Sequence, residues 1–143
     1  MTSKTLHRRQ MGDWAEQEAC RRLVQAGYQI VSCNFHSRYG EVDIIASKDS
    51  ELIFAEVKAR SQTQVARAIE VITVSKQRKI VQTALIFIQK NPDYADFYYR
   101  FDVFCFDFHQ NIAKNLQQSM FEMTYDFAWI ENAFTLNADL INL

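Results

Sequence analysis

Two runs near the middle of the chain, Gly40-Glu41-Val42-Asp43-Ile44-Ile45 and Leu52-Ile53-Phe54-Ala55-Glu56-Val57-Lys58, read as buried β-strands. Both carry charge, and an unpaired charge inside a sheet is costly. A hairpin turning at Lys48-Asp49-Ser50-Glu51 would pair the two arms symmetrically about the midpoint between Asp49 and Ser50. One face would then carry Val42 with Val57, Ile44 with Ala55 and Ala46 with Ile53, an apolar surface suited to packing against helices. The other would carry Glu41 with Lys58, Asp43 with Glu56 and Ile45 with Phe54. Opposed β-carbons stand roughly 4.5–5.5 Å apart, close enough for two bare carboxylates to repel and raise one another's pKa. A cation between them removes the conflict.

Magnesium, or manganese in its place, suits that position, because hard divalent ions take oxygen ligands, commonly one or two carboxylates completed by waters and phosphate oxygens. Lys58 follows Glu56 by two residues and shares its face, where an ammonium can orient a metal-bound water or stabilise charge developing on a phosphate. Asp, a spacer and Glu-x-Lys form the active-site signature of the PD-(D/E)xK nuclease superfamily, which this segment resembles. Val42 stands where that name has proline. Alone, Glu-x-Lys on a strand is more often a solvated outer face. The predicted register sets this one apart, and a bulge in either arm would break it.

The 143 residues, 48% of them hydrophobic, suffice for one buried core and point to one domain, with residues 109–143 as a C-terminal extension. Three glycines and one proline leave no room for low-complexity linkers, and no internal repeat is visible. The polar start, Met1 to Gln10, lacks the apolar core of a signal peptide, and no apolar run reaches the ~20 residues of a membrane span. A soluble protein of the cytosol is the expectation. Cys20, Cys33 and Cys105 form no Cys-x-x-Cys pair and His7, His36 and His109 have no zinc-ligand spacing, so the cysteines read as reduced residues in or near the core. The formal charge of −1 does not mark a nucleic-acid binder. It conceals an asymmetry: residues 1–100 hold 15 Lys and Arg against 11 Asp and Glu, whereas residues 101–143 hold one Lys against six acids. Phosphate binding by the first part remains compatible with that distribution.

Residues 9–26 read as an amphipathic helix, with Met11, Trp14, Ala15, Ala19, Leu23 and Ala26 on one stripe and Gly27 as its stop. Glu16 and Glu18 flank that stripe on opposite sides, and periodicity does not choose between them. Tyr28–Phe35 predicts a first strand. Ser75–Lys90 predicts a second helix, with Ser75 as N-cap, Ile80, Val81, Ala84, Leu85 and Ile88 as its apolar positions, and Asn91-Pro92 as its end. Lys76, Arg78 and Lys79 crowd its first turn. Cations are unfavourable there, so they read either as an anion site or as a plain basic turn, which Arg38, Arg60 and Arg67 would extend. Phe97–Phe106 predicts an aromatic strand in which Arg100 and Asp102 form a structural ion pair. Ile112–Phe121 has helical character, and Tyr125–Ile130 fits a closing strand or helix.

Taken together, Gly12-Asp13-Trp14-Ala15-Glu16-Gln17-Glu18-Ala19, Gly40 to Ile45, Ile53 to Arg60, Ser75-Lys76-Gln77, Arg100 to Val103 and Trp129 to Phe134 resemble the YraN-like (UPF0102) family of bacterial proteins, regarded as endonucleases related to archaeal Holliday junction resolvases. The resemblance selects Glu16 over Glu18. It implies an α/β, restriction-endonuclease-like fold, a central mixed β-sheet flanked by helices, and a two-fold dimer. The activity it implies is Mg2+- or Mn2+-dependent hydrolysis of DNA phosphodiester bonds, with branched structures as candidate substrates. On this reading Asp43 and Glu56 hold the metal with the Val57 backbone carbonyl, Glu16 supports it directly or through water, and Lys58 positions the nucleophilic water. Arg38, Arg60, Lys76, Arg78 and Lys79 hold phosphates. Two departures bear on the DNA-facing surface: Val65-Ala66-Arg67 stands where family members usually have glycine, and the stretch from His109 to Phe127 is longer than usual. The rival readings are a non-catalytic nuclease fold that binds nucleic acid, and a protein-interaction module built on the acidic, aromatic last third.

Overall fold

A computed structural model of the chain describes residues 3–61, 72–109 and 124–135. The apolar and aromatic runs among them form one mixed sheet of five strands in the order β1-β2-β3-β4-β5: β1 (Gln29–Ser37), β2 (Gly40–Lys48), β3 (Glu51–Ser61), β4 (Tyr98–Phe108) and β5 (Tyr125–Phe134). Neighbours run antiparallel except β3 and β4, which are parallel. A parallel pair needs a crossover connection, and helix α2 (Val74–Lys90) lies on it.

Each face of the sheet is covered by a helix. On one, α1 (Ser3–Gln25) buries Met11, Ala15, Ala19 and Leu23 against Ile44, Ala46, Ile53, Ala55, Phe104 and Phe106. The small alanines let the helix approach closely, and Gly27, at φ +95°, takes the left-handed conformation that ends it. On the opposite face α2 buries Ile80, Val81, Ala84 and Phe87 against Val42, Ile45, Leu52, Phe54 and Phe101. Phe54, Phe101, Phe104, Phe106 and Phe108 are fully buried, each contributing about 1.5–3 kcal/mol by removal from water.

Several expectations are corrected. Helix α1 begins at Ser3, six residues before the stripe-based start. The N-cap of α2 is Thr73, whose hydroxyl accepts the Lys76 N–H at 3.1 Å, not Ser75. Ile72 is buried just before it, which anchors the helix start two residues earlier than the second hydroxyl residue suggested. Phe87 takes the core position on α2, while Leu85 is exposed. Tyr125–Phe134 is a strand, settling the open choice there. Ile112–Phe121 and Arg67 lie outside the described residues.

The hairpin is where sequence and structure part most usefully. The predicted register holds from Lys48 opposite Glu51 to Ile44 opposite Ala55, with Asp49 at φ +54° in the turn. Beyond Ile44 the two strands separate. β2 stays paired with β1, Phe35 opposite Val42 and His36 opposite Glu41, while β3 stays paired with β4. Ile44 packs on the α1 side and Val42 on the α2 side, so the alternation of a regular strand breaks at Asp43. The expected pairs Val42 with Val57, Asp43 with Glu56 and Glu41 with Lys58 are therefore not ladder partners.

Candidate active site

Asp43 sits at that fork. Its Oδ2 accepts the Val57 N–H at 2.8 Å, replacing the main-chain partner that β3 loses when the strands part. On β3, Leu52 and Phe54 face α2 and the alternation carries Glu56 and Lys58 to the same side. Asp43 and Glu56 are 6% and 5% exposed, rare burial for carboxylates without a bidentate cation partner. Lys58 Nζ and Lys76 Nζ approach Glu56 Oε1 at 3.7 and 3.8 Å, one from its own strand and one from the first turn of α2. Glu56 Oε2 is buried and has no hydrogen-bond donor.

Burial raises the Glu56 carboxyl, and the neighbouring Asp43 charge adds to it, against the two lysines; together they push it up to about 8. Asp43 is also raised by burial, an effect moderated by the Val57 N–H and by a hydrogen bond with Glu56. Both shifts favour the protonated form, as expected of two carboxyls buried side by side.

Glu16 reaches the same region from α1. It lines a pocket of about 430 Å³ with Asp13, Gln17, Cys20, Cys33, Asn34, Asp43 and Ile44. Burial raises its carboxyl, the Asp43 charge raises it further, and a hydrogen bond with Asn34 opposes both. Glu18 instead binds Arg21 and Arg22 on the helix surface, so the choice the periodicity left open falls to Glu16. Among the described residues no group of three or more His, Cys, Asp and Glu side chains stands close enough to hold a metal ion. Glu16, Asp43 and Glu56 therefore do not form a three-carboxylate cluster.

The remaining basic residues divide. Arg78 and Lys79 are exposed on α2, and the Lys79 β-carbon packs near Gly40. Lys76, expected beside a phosphate, faces Glu56. Arg38 stacks over its neighbour Tyr39 and bonds its hydroxyl at 2.8 Å. Arg60 is half-buried in an ion pair with Asp107 of β4 and contributes no free cation to the surface. Asn34 was missed from the sequence, although an asparagine within a strand-forming run, here at φ +53°, is an uncommon residue in an uncommon conformation. Arg100 and Asp102 form the structural pair expected of them, joined by Trp129 and the Asn132 N–H.

What emerges is an α/β protein whose sheet forks between two strands to seat a buried carboxylate pair beside two lysines. The chain belongs to uncharacterised protein family UPF0102, whose model matches residues 15–106, from within α1 through most of β4 and so across every residue of the fork. It is 55% identical over 128 residues to a UPF0102 protein of Acinetobacter baumannii (strain AYE), covering 90% of this chain and 96% of the relative. A UPF0102 protein of Acinetobacter baylyi is 53% identical over 131 residues, covering 92% and 94%. One of Francisella tularensis is 41% identical over 126 residues, covering 87% and 94%. No helix among the described residues is long and apolar enough to cross a membrane.

Proposed function

We propose that this chain is a metal-dependent endonuclease that hydrolyses DNA phosphodiester bonds, with branched DNA among its substrates and magnesium or manganese as its cofactor. The single observation that carries the reading is Glu56: a buried carboxylate, crowded by Asp43, flanked by two ammonium groups and left with an unpartnered oxygen. A structural ion pair would have used that oxygen. The five-strand mixed sheet with a helix on each face suits the restriction-endonuclease-like architecture that the motif resemblance implies.

Asp43 and Glu56 would hold the ion, with the Val57 carbonyl beside them and Glu16 acting through water. When bound, it supplies Lewis-acid polarisation of a phosphate oxygen and a water acidic enough to serve as nucleophile near neutral pH. Lys58 would orient that water through its N–H donors and offset negative charge gathering on the phosphate. Lys76, which now faces Glu56, would with Arg78 and Lys79 supply the cations for flanking phosphates. With a net charge of −1, DNA affinity would come from this local patch and fall steeply with salt.

Labelled linear, flapped and four-way DNA substrates, incubated with the protein in magnesium or manganese, test the proposal. Cleavage by the parent and its loss in Asp43→Ala and Lys58→Ala are expected. Equal cleavage by parent and variants would reject the assignment of these residues. Calorimetric titration with manganese separates a true metal site from a nuclease fold retained for binding alone, since only the former loses the ion in Glu56→Ala.

A further inference from the structure

Cys20 and Cys33 come from different elements, α1 and β1, and their sulfurs stand 4.0 Å apart. Cys33 is exposed and Cys20 partly so, whereas the third cysteine, Cys105, is buried on β4. Both thiols line the pocket that holds Glu16 and Asp43. Cys20 follows Glu16 by one helical turn on the same face, and Cys33 precedes Asn34, the residue that hydrogen-bonds Glu16. A bond between them would join the two segments that position Glu16.

We propose that Cys20 and Cys33 are a peroxide-reactive thiol pair whose disulfide locks α1 onto β1 and closes the pocket against a divalent cation; the second half of this inference rests on the proposed function. The exposed Cys33 meets the oxidant first. Its thiolate attacks a peroxide oxygen, forming an S–O bond, breaking the O–O bond and releasing hydroxide. The Cys20 sulfur then attacks the sulfenic sulfur, forming the S–S bond, breaking S–O and releasing water as its own proton departs. Two thiols lose two electrons and one hydrogen peroxide becomes two waters. Bonded sulfurs sit about 2.05 Å apart, so they must approach by about 2 Å from their present contact. That approach carries the turn bearing Glu16 toward β1 and Asp43. It narrows the space in which Glu16 acts through water, and it presses like charges together.

The experiment uses the full chain, reduced and then treated with hydrogen peroxide, with free thiols counted by alkylation and intact mass. Oxidation should take three free thiols to one, Cys105, with no intermolecular product, and dithiothreitol should reverse it. Cys20→Ser and Cys33→Ser should each abolish the change. Covalent dimers in place of the internal bond, or Cys33 overoxidised with Cys20 still free, would overturn the pair. In manganese titrations the oxidised wild type should bind more weakly, by about fivefold or more, and the Cys33→Ser variant should bind equally before and after peroxide. A bond that forms without changing manganese affinity overturns the gating. Failure of the reduced protein to bind manganese would instead count against the proposed function, and the thiol count would still decide the pair.

Discussion

Asp43 Oδ2 accepts the Val57 N–H at 2.8 Å one residue past the last β2–β3 pair, Ile44 with Ala55. The same carboxylate thus terminates a hairpin and faces a second carboxylate, and these two roles can be separated chemically. An amide in its place can still accept the N–H through its oxygen but carries no charge.

Asp43→Asn should therefore leave the metal-free protein within about 1 kcal/mol of the parent, since the hydrogen bond from the Val57 N–H survives. Manganese affinity should fall by more than about tenfold, the loss of one of two carboxylate ligands to a hard cation. Asp43→Ala should lose both, because the buried Val57 N–H is then unpaired at a cost of about 1–3 kcal/mol. Urea denaturation and calorimetric titration of the three proteins give the comparison.

Glu56 predicts the pH dependence. Its folded carboxyl is raised from the ordinary glutamate value of about 4.5 to about 8, so the native state keeps a proton that the unfolded chain has already released. Unfolding releases protons through that window, and stability must fall as pH rises from about 4.5 to about 8, with a slope of up to about 1.4 kcal/mol per pH unit for this group. Above the folded pKa the slope ends and the penalty stays. Glu56→Gln should be more stable than the parent at about pH 8, nearly equal to it at about pH 4, and flatter between. Denaturant midpoints in chelator across that range measure it. A parent profile that is flat, or that rises with pH, would contradict the buried proton.

The turn of the hairpin was legible because Lys48 and Glu51 bracket two polar residues between apolar runs, and the register follows from symmetry about that turn. The fork was not. A period of two assumes a regular pleat, and nothing in Val42-Asp43-Ile44 announces that β2 follows β1 away from β3 at Asp43. Asp43 and Glu56 still meet, but through side chains at the fork and not as the ladder partners that the alternation assumed. The N-cap of α2 was misplaced for a simpler reason: Thr73 and Ser75 are both competent caps, and only the burial of Ile72 distinguishes them. The partner of Lys76 was illegible because a basic first turn signals an anion without saying that the anion is a side chain from β3.

Asp102 offers a control that separates folding from the site. It is fully buried and accepts from Arg100 Nε and Nη2 at 2.9 Å each, from the Trp129 indole at 2.8 Å and from the Asn132 N–H at 2.9 Å. Asp102→Ala leaves a guanidinium, an indole N–H and a main-chain N–H short of an acceptor at once. The loss should be about 3–5 kcal/mol, read as a lowered denaturant midpoint. Whatever fraction remains folded should bind manganese with parental affinity, because the Asp102 carboxylate is bonded to Arg100, Trp129 and Asn132 and to neither Glu56 nor Lys58.

Glu16 and Glu18 stand two residues apart on one helix and should behave oppositely. Glu18→Gln removes surface ion pairs with Arg21 and Arg22 and should leave manganese affinity and DNA cleavage unchanged. Glu16→Gln removes a carboxylate raised by burial and by Asp43, and it should weaken manganese binding about 10- to 100-fold, the usual cost of losing a water-mediated support to a metal ligand. Lys58→Ala completes the set: its ammonium stands 3.7 Å from Glu56 Oε1 but supplies no metal ligand. Manganese affinity should persist in that variant while cleavage falls about 10²- to 10⁴-fold, the range expected when a positioned donor to the attacking water is removed. Parallel loss of binding and cleavage in Lys58→Ala would instead mean that the lysine holds the carboxylates in place and does no chemistry of its own.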